Sequence, residues 1–188
     1  MNTHIYFVRH AHSAYTPDEL MRALSVRGME DAKGVAEILR KENIDVVLSS
    51  PYKRAIQTVE GVAKIIESEI KIVDGFKERT LASGMLDNFQ EAIEKVWQET
   101  DFSWEGGESN EVAQKRGITS LLKTLDTYKG KRVVVGTHGN IMVLIMNYFA
   151  KKYDYEFWKT LVMPDIYKLT FNNKELVSVE RVWENYEK

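Results

Sequence analysis

Short apolar runs alternate along this chain with stretches whose apolar residues recur every three to four positions. The first run, Ile5-Tyr6-Phe7-Val8, reads as a buried strand. After Ser25 the period changes. Met29, Ala32, Ala36 and Leu39 make a helical stripe, and Ser25 can cap it, which predicts a helix over about 26–42. The run DVVLSS at 45–50 returns to strand. Pro51 suits the first turn of a second helix reaching about Ser68, with Ala55, Val59, Val62, Ala63 and Ile66 apolar. A third strand is expected at 70–73, IKIV. Asn110 to about Tyr128 reads as a helix with Val112, Ile118, Leu121, Leu122 and Leu125 inward. RVVVGT at 132–137 is a strand apolar on both faces, and a helix from Asn140 to about Lys151 follows. Runs at 165–171 and 176–182, joined across Asn172-Asn173-Lys174, form a hairpin.

Alternation of this kind defines an α/β class: a three-layer sandwich with a mostly parallel central sheet and helices on both faces. The segment from about Gly75 to Gly107 breaks the alternation. It places Phe76, Phe89, Trp97, Phe102 and Trp104 among acidic residues, and reads as a small lid insertion over one end of the sheet. With no repeat and no Gly/Ser/Pro-rich linker, residues 1–188 read as a single domain.

Composition narrows the function. Twenty-six basic and 28 acidic residues give a net charge of −2, so no global basic field attracts nucleic acid and anion binding has to be local. The absence of cysteine excludes disulfides, zinc–thiolate sites and cysteine nucleophiles, and fits a reducing compartment. The N-terminus has no signal-peptide pattern, and no apolar run approaches the ~20 residues that span a bilayer. A cytoplasmic protein without membrane or nucleic-acid partners is expected.

Ligands of open α/β sheets bind beyond the carboxyl ends of the strands. There, the first strand is followed by Arg9-His10, the second by Pro51-Tyr52-Lys53-Arg54, and the fourth by His138-Gly139. Arginine offers a phosphoryl group planar, permanently charged donors, and a helix N-terminus adds backbone N–H groups. Each residue alone has a structural alternative. His10 could bond backbone, Arg9 could extend to solvent, Arg54 could pair with Glu60 or another surface acid, and His138 could be a helix cap. His4 and His12 read as structural or surface residues.

Five segments carry a further signal: FVRHAHS (7–13), SSPYKRAIQTVE (49–60), FKERTLASG (76–84), EGGES (105–109) and VGTHGN (135–140). In this order and spacing the chain resembles the histidine phosphatase superfamily, which also contains the cofactor-dependent phosphoglycerate mutases. The resemblance spans about residues 3–150. It implies that His10 is the nucleophile that becomes phosphohistidine, that Arg9 and Arg54 hold the phosphoryl oxygens, and that His138 stabilises the same group. It implies Glu78 as proton donor, with Glu91 and Glu94 in the insertion as alternatives, and Ser13 as a further substrate contact. Ser50 and Thr58 resemble supporting residues. Ala11 stands where the family usually has glycine; His12 and Asn140 also depart from its pattern. Glu78 would need to hold a proton near neutral pH, which burial under the insertion could sustain.

The resulting expectation is a phosphatase that hydrolyses small phosphomonoesters without metal or cofactor. A mutase shares these residues, but 80–110 holds no basic cluster for a second anionic group, Lys95 being its only lysine. A metal-dependent hydrolase using His10, His12 and His138 would suffer repulsion from Arg9 and Arg54. A binding domain without catalysis would not need the nucleophile. Two copies could pair through the exposed edge of the C-terminal hairpin.

Overall fold

The computed structural model describes residues 1–84 and 86–183. Its centre is a six-stranded sheet in the order β3-β2-β4-β1-β5-β6. These strands are β1 (Asn2–Arg9), β2 (Val46–Ser49), β3 (Ile70–Ile72), β4 (Arg132–Thr137), β5 (Asp165–Asn172) and β6 (Glu175–Arg181). β3, β2, β4 and β1 run parallel. β5 pairs antiparallel with the open side of β1, and β6 pairs antiparallel with β5. The sheet is therefore mixed, with the expected parallel order confined to four strands. The hairpin enters through β5 against β1, so β1 is central rather than an edge.

The central strands are apolar without a break because both their faces are covered. Ile5 and Phe7 of β1 join Val133 and Val135 of β4 in one buried layer. Tyr6 and Val8 join Val134 in the other. Helices α1 (Val26–Arg40) and α2 (Lys53–Ile65) cover the second layer. Helices α4 (Asn110–Thr127) and α5 (Gly139–Phe149) cover the first. In α5 every residue from Gly139 to Met146 is buried, as an all-round apolar helix must be. Two short helices complete the order, α3 (Phe89–Gln98) and α6 (Tyr155–Thr160).

Several expectations shift. Met29 is exposed because the buried stripe of α1 runs through Gly28, Ala32, Val35, Ala36 and Leu39. Val112 is exposed for the same kind of reason: α4 buries Ala113, Gly117, Ile118, Leu121 and Leu125. Pro51 lies before the cap of α2, which is Tyr52. Phe76 belongs to the main core and Phe89 is exposed, so the aromatic residues of 75–107 are not one cluster. Helix α6 lies in a stretch where the sequence pattern set no element.

Gly28 ties α1 to the strand end that carries His10. A Cβ there would run into the carbonyl oxygen of His12, which also accepts from the Ser25 backbone N–H at 2.9 Å. Gly28→Ala should lower unfolding stability by about 1–3 kcal/mol, although alanine would otherwise favour the helix by about 1 kcal/mol. The urea midpoint checks this, and an unchanged or raised midpoint would contradict it.

Candidate active site

The parallel strands deliver their C-terminal ends to one edge, and a cavity of about 760 Å³ opens there. Arg9, His10, Ser13, Arg54 and Glu78 all line it. Five of the six expected site residues thus meet at one cavity. His138, the sixth, is fully buried behind them, its ring 5.2 Å from that of His10.

His10 follows β1 and is 8% exposed. Its Nδ1 lies 2.7 Å from the carbonyl oxygen of its neighbour Ala11. A carbonyl only accepts, so Nδ1 carries the proton and Nε2 presents its lone pair as an acceptor. Arg54 Nε donates to that nitrogen at 3.3 Å. Burial, with Arg54 and Arg9 alongside, pushes the His10 pKa down from 6.5 to about 3, against the opposing pull of the Ala11 hydrogen bond. Ala11 is itself fixed, its N–H donating to Thr58 Oγ1 at 3.0 Å.

Arg54 sits in the first turn of α2, and Glu19 holds its outer side. Nη1 donates to the Glu19 carbonyl at 2.8 Å and Nη2 to its carboxylate at 3.1 Å. Arg9 Nη1 donates to the carbonyls of Leu161 and Val162, each at 3.1 Å, while its Nε is buried without a partner. Gly139 packs on that guanidinium: an added Cβ would lie 3.1 Å from Arg9 Nε. His138 caps α5. Its Nε2 meets Ser50 Oγ at 2.8 Å, and its Nδ1 is buried with no partner. Burial first, then His10 and Arg54, pushes its pKa well below the usual histidine range. Tyr52 stands edge-on to His138 at 4.9 Å and beneath Arg54 at 4.8 Å.

Glu78 is half-buried, less covered than expected. Its oxygens accept three backbone N–H groups, from Arg79 at 2.8 Å, Asn140 at 3.1 Å and Ile141 at 3.0 Å. The last two belong to the first turn of α5. Glu91 and Glu94 are exposed on α3 and do not line the cavity. His12 faces solvent, its Nδ1 2.8 Å from Ser25 Oγ. Asn140 lines the cavity, and its Oδ1 accepts from Trp97 Nε1 at 3.4 Å. Among the described residues no cluster of three or more His, Asp or Glu side chains is placed to hold a metal ion, and no helix is long and apolar enough to cross a membrane.

Tyr52, part of the strand-end run Pro51-Tyr52-Lys53-Arg54 but given no role there, also lines the cavity, as do Glu19, Arg22, Arg79 and Trp158, which no strand-end argument singled out. Arg79 directly follows Glu78 in the quoted FKERT segment, which was the one available signal. The others come from loops and from α6, whose approach depends on tertiary packing.

In the unfolded chain His10 takes up a proton below about pH 6.5; in the fold it does not until about pH 3. The unfolded state therefore binds more protons in between, and stability falls as pH falls. At pH 5 His10 alone should cost about 2 kcal/mol, with His138 acting in the same direction. Urea midpoints at pH 7.5 and pH 5 test this. Equal midpoints would contradict it.

An α/β sheet whose strand ends gather two arginines, two histidines and a carboxylate defines a phosphoryl-handling protein. The family model of the histidine phosphatase superfamily (branch 1) matches residues 5–183, and the chain belongs to that superfamily. It is 31% identical over 155 residues to phosphoglycerate mutase-like protein 4 of Arabidopsis thaliana, covering 73% of this chain and 67% of that one. It is also 31% identical over 156 residues to the metal-independent phosphoserine phosphatase of the same plant, covering 74% and 66%. The chain spans about two thirds of the length of these relatives. Its fold matches a phosphoserine phosphatase from Entamoeba histolytica with a TM-score of 0.80 at 20% identity, covering 97% of this chain and 98% of that one.

Proposed function

We propose that the protein is a phosphoric monoester hydrolase that cleaves small phosphomonoesters through a phosphohistidine on His10, without a metal ion. The observation that carries this reading is the state of His10: neutral, with Nδ1–H fixed on the Ala11 carbonyl and the Nε2 lone pair facing Arg54. Family membership and the relative named a metal-independent phosphoserine phosphatase support it.

In this mechanism Nε2 attacks phosphorus in line, the P–O bond breaks, and the leaving oxygen takes a proton from Glu78. Glu78, then ionised, removes a proton from water. The resulting hydroxide attacks phosphorus, the P–N bond breaks, and inorganic phosphate leaves with His10 neutral again. Arg9 Nε, Arg54 and His138 Nδ1 hold charge on the equatorial oxygens, the role a cation would otherwise fill. Ser13 adds a substrate contact. Before the substrate arrives, the backbone N–H groups at α5 hold Glu78 in place.

The same reading takes residues 75–107 as a lid within a single domain, supported by Leu81, Leu86, Phe89 and Ile93 along the cavity. It takes the protein as cytoplasmic, in line with the lack of cysteine, and without a nucleic-acid or membrane partner. Pairing of two copies through edge strand β6 completes it. Hydrolysis of p-nitrophenyl phosphate with and without a chelator tests the chemistry. Turnover that survives chelation is expected; turnover that the chelator abolishes would overturn the mechanism. A mutase would use the same residues, and return of the phosphoryl group to a second hydroxyl instead of phosphate release would identify it.

A further inference from the structure

A second cavity, of about 550 Å³, adjoins the catalytic one and shares none of its described lining residues. Asn110, the first residue of α4, is 1% exposed and lines this second cavity. Its amide oxygen and nitrogen, Oδ1 and Nδ2, are both buried with no hydrogen-bond partner among the described residues. Leaving a buried amide unpaired is costly.

The polar groups around it are paired. Gln114 Nε2 donates to the Leu144 carbonyl at 2.8 Å and to Asn147 Oδ1 at 3.3 Å. Asn147 Oδ1 also accepts from Lys151 Nζ at 3.2 Å. Asp154 Oδ1 accepts the Phe157 N–H at 3.0 Å and caps α6. Asn110 differs: it holds a donor and an acceptor side by side, and the described residues meet neither.

The walls define what could meet them. Trp97 and Tyr155, both half-buried, line the cavity with their rings 6.4 Å apart and tilted by 42°. Their polar ends are already engaged. Trp97 Nε1 donates to Asn140 Oδ1 at 3.4 Å, and the Tyr155 hydroxyl accepts from Gln90 Nε2. The two rings therefore offer apolar surface, which suits a flat ring. Three acids, Glu111, Asp154 and Glu156, stand on the cavity against one lysine, Lys151, so a phosphate or carboxylate would be repelled. The volume falls within the range of about 300–1,000 Å³ common for small-molecule sites.

We propose that this cavity binds a neutral planar heterocycle with a donor and an acceptor on one edge, a nucleobase or its nucleoside, and that Asn110 reads that edge. An asparagine amide meets such an edge with two hydrogen bonds at once, as it does with adenine. The ligand needs no phosphoryl group, so the inference stands apart from the phosphatase reading.

Adenosine and uridine, titrated calorimetrically into the wild type, make the test. At least one should bind saturably, one per chain. Its counterpart with a broken edge should bind about 10-fold or more weakly, as the loss of a paired contact implies. Purine riboside, which lacks the amino group, serves for adenosine, and N3-methyluridine serves for uridine. Asn110→Leu keeps the approximate shape of the side chain and removes both polar atoms. It should weaken the nucleoside by a similar factor and leave the urea midpoint unchanged or raised, because no hydrogen bond within the fold is lost. Several results would overturn the site: no binding of either nucleoside, equal binding of the broken-edge analogue, equal binding of ribose alone, or undiminished binding by Asn110→Leu. A lowered midpoint with the nucleoside still bound would give the amide a structural role instead. Should Asn110→Leu fail to fold, the analogues on the wild type decide.

Discussion

His10→Ala should reduce hydrolysis of p-nitrophenyl phosphate by at least ~1000-fold, because the covalent step has no other nucleophile. The neighbouring imidazole cannot substitute. His138 is fully buried, and its Nε2 is occupied by Ser50. The loss should fall on kcat, since Arg9 and Arg54 remain to bind phosphate. Binding of inorganic phosphate or vanadate to the variant should therefore persist. Acid-quenched wild type should carry no stable label, because phosphohistidine is acid-labile; quenching in base should retain it on the wild type and not on the variant. Base-stable label on His10→Ala, or activity within tenfold of wild type, would refute the assignment.

Glu78→Gln should separate the two halves of the reaction. Donating a proton to the leaving oxygen matters most for an alkyl phosphate, whose alkoxide leaves poorly, and its loss typically costs about 100–10,000-fold. p-Nitrophenolate leaves without help, so the first step on p-nitrophenyl phosphate should stay fast. Water activation in the second step still needs the carboxylate. The variant should thus release about one equivalent of p-nitrophenolate per active site in a burst and then turn over slowly. Steady turnover at the wild-type rate would assign the proton transfers elsewhere. Glutamine also loses one of the oxygens that accept from Arg79, Asn140 and Ile141, so a thermal melt should accompany the kinetics. A folded variant with no burst would place Glu78 as a brace for α5 instead.

Much of the scaffold is legible in order along the chain. Ser25 caps α1 by accepting the Gly28 N–H at 3.1 Å, and RVVVGT spans β4 as expected. These features are local: a cap needs one side chain and a turn, and a buried parallel strand needs only an unbroken apolar run. Stripe positions fared less well at Met29 and Val112, because a period of 3.6 leaves the edge of the buried face open until a neighbour is in place. The Pro51 placement erred by a short offset for a similar reason. Tyr52, not Pro51, is where the backbone turns into α2.

By itself the sequence determined the alternating strands and helices, and which residues stand at the strand ends: Arg9, His10, Arg54 and His138. Chemistry at a strand end is readable because position along the strand sets which end a residue occupies. Only the tertiary structure decided which polar atoms remain unsatisfied once everything else has paired. It gave His10 its tautomer through the Ala11 carbonyl, placed Glu78 on the N-terminal turn of α5, and left both amide atoms of Asn110 buried and unpaired among the described residues. Hydrogen-bond saturation is a property of the whole assembly, since each donor's partner lies far away in sequence, and no local pattern encodes what remains free.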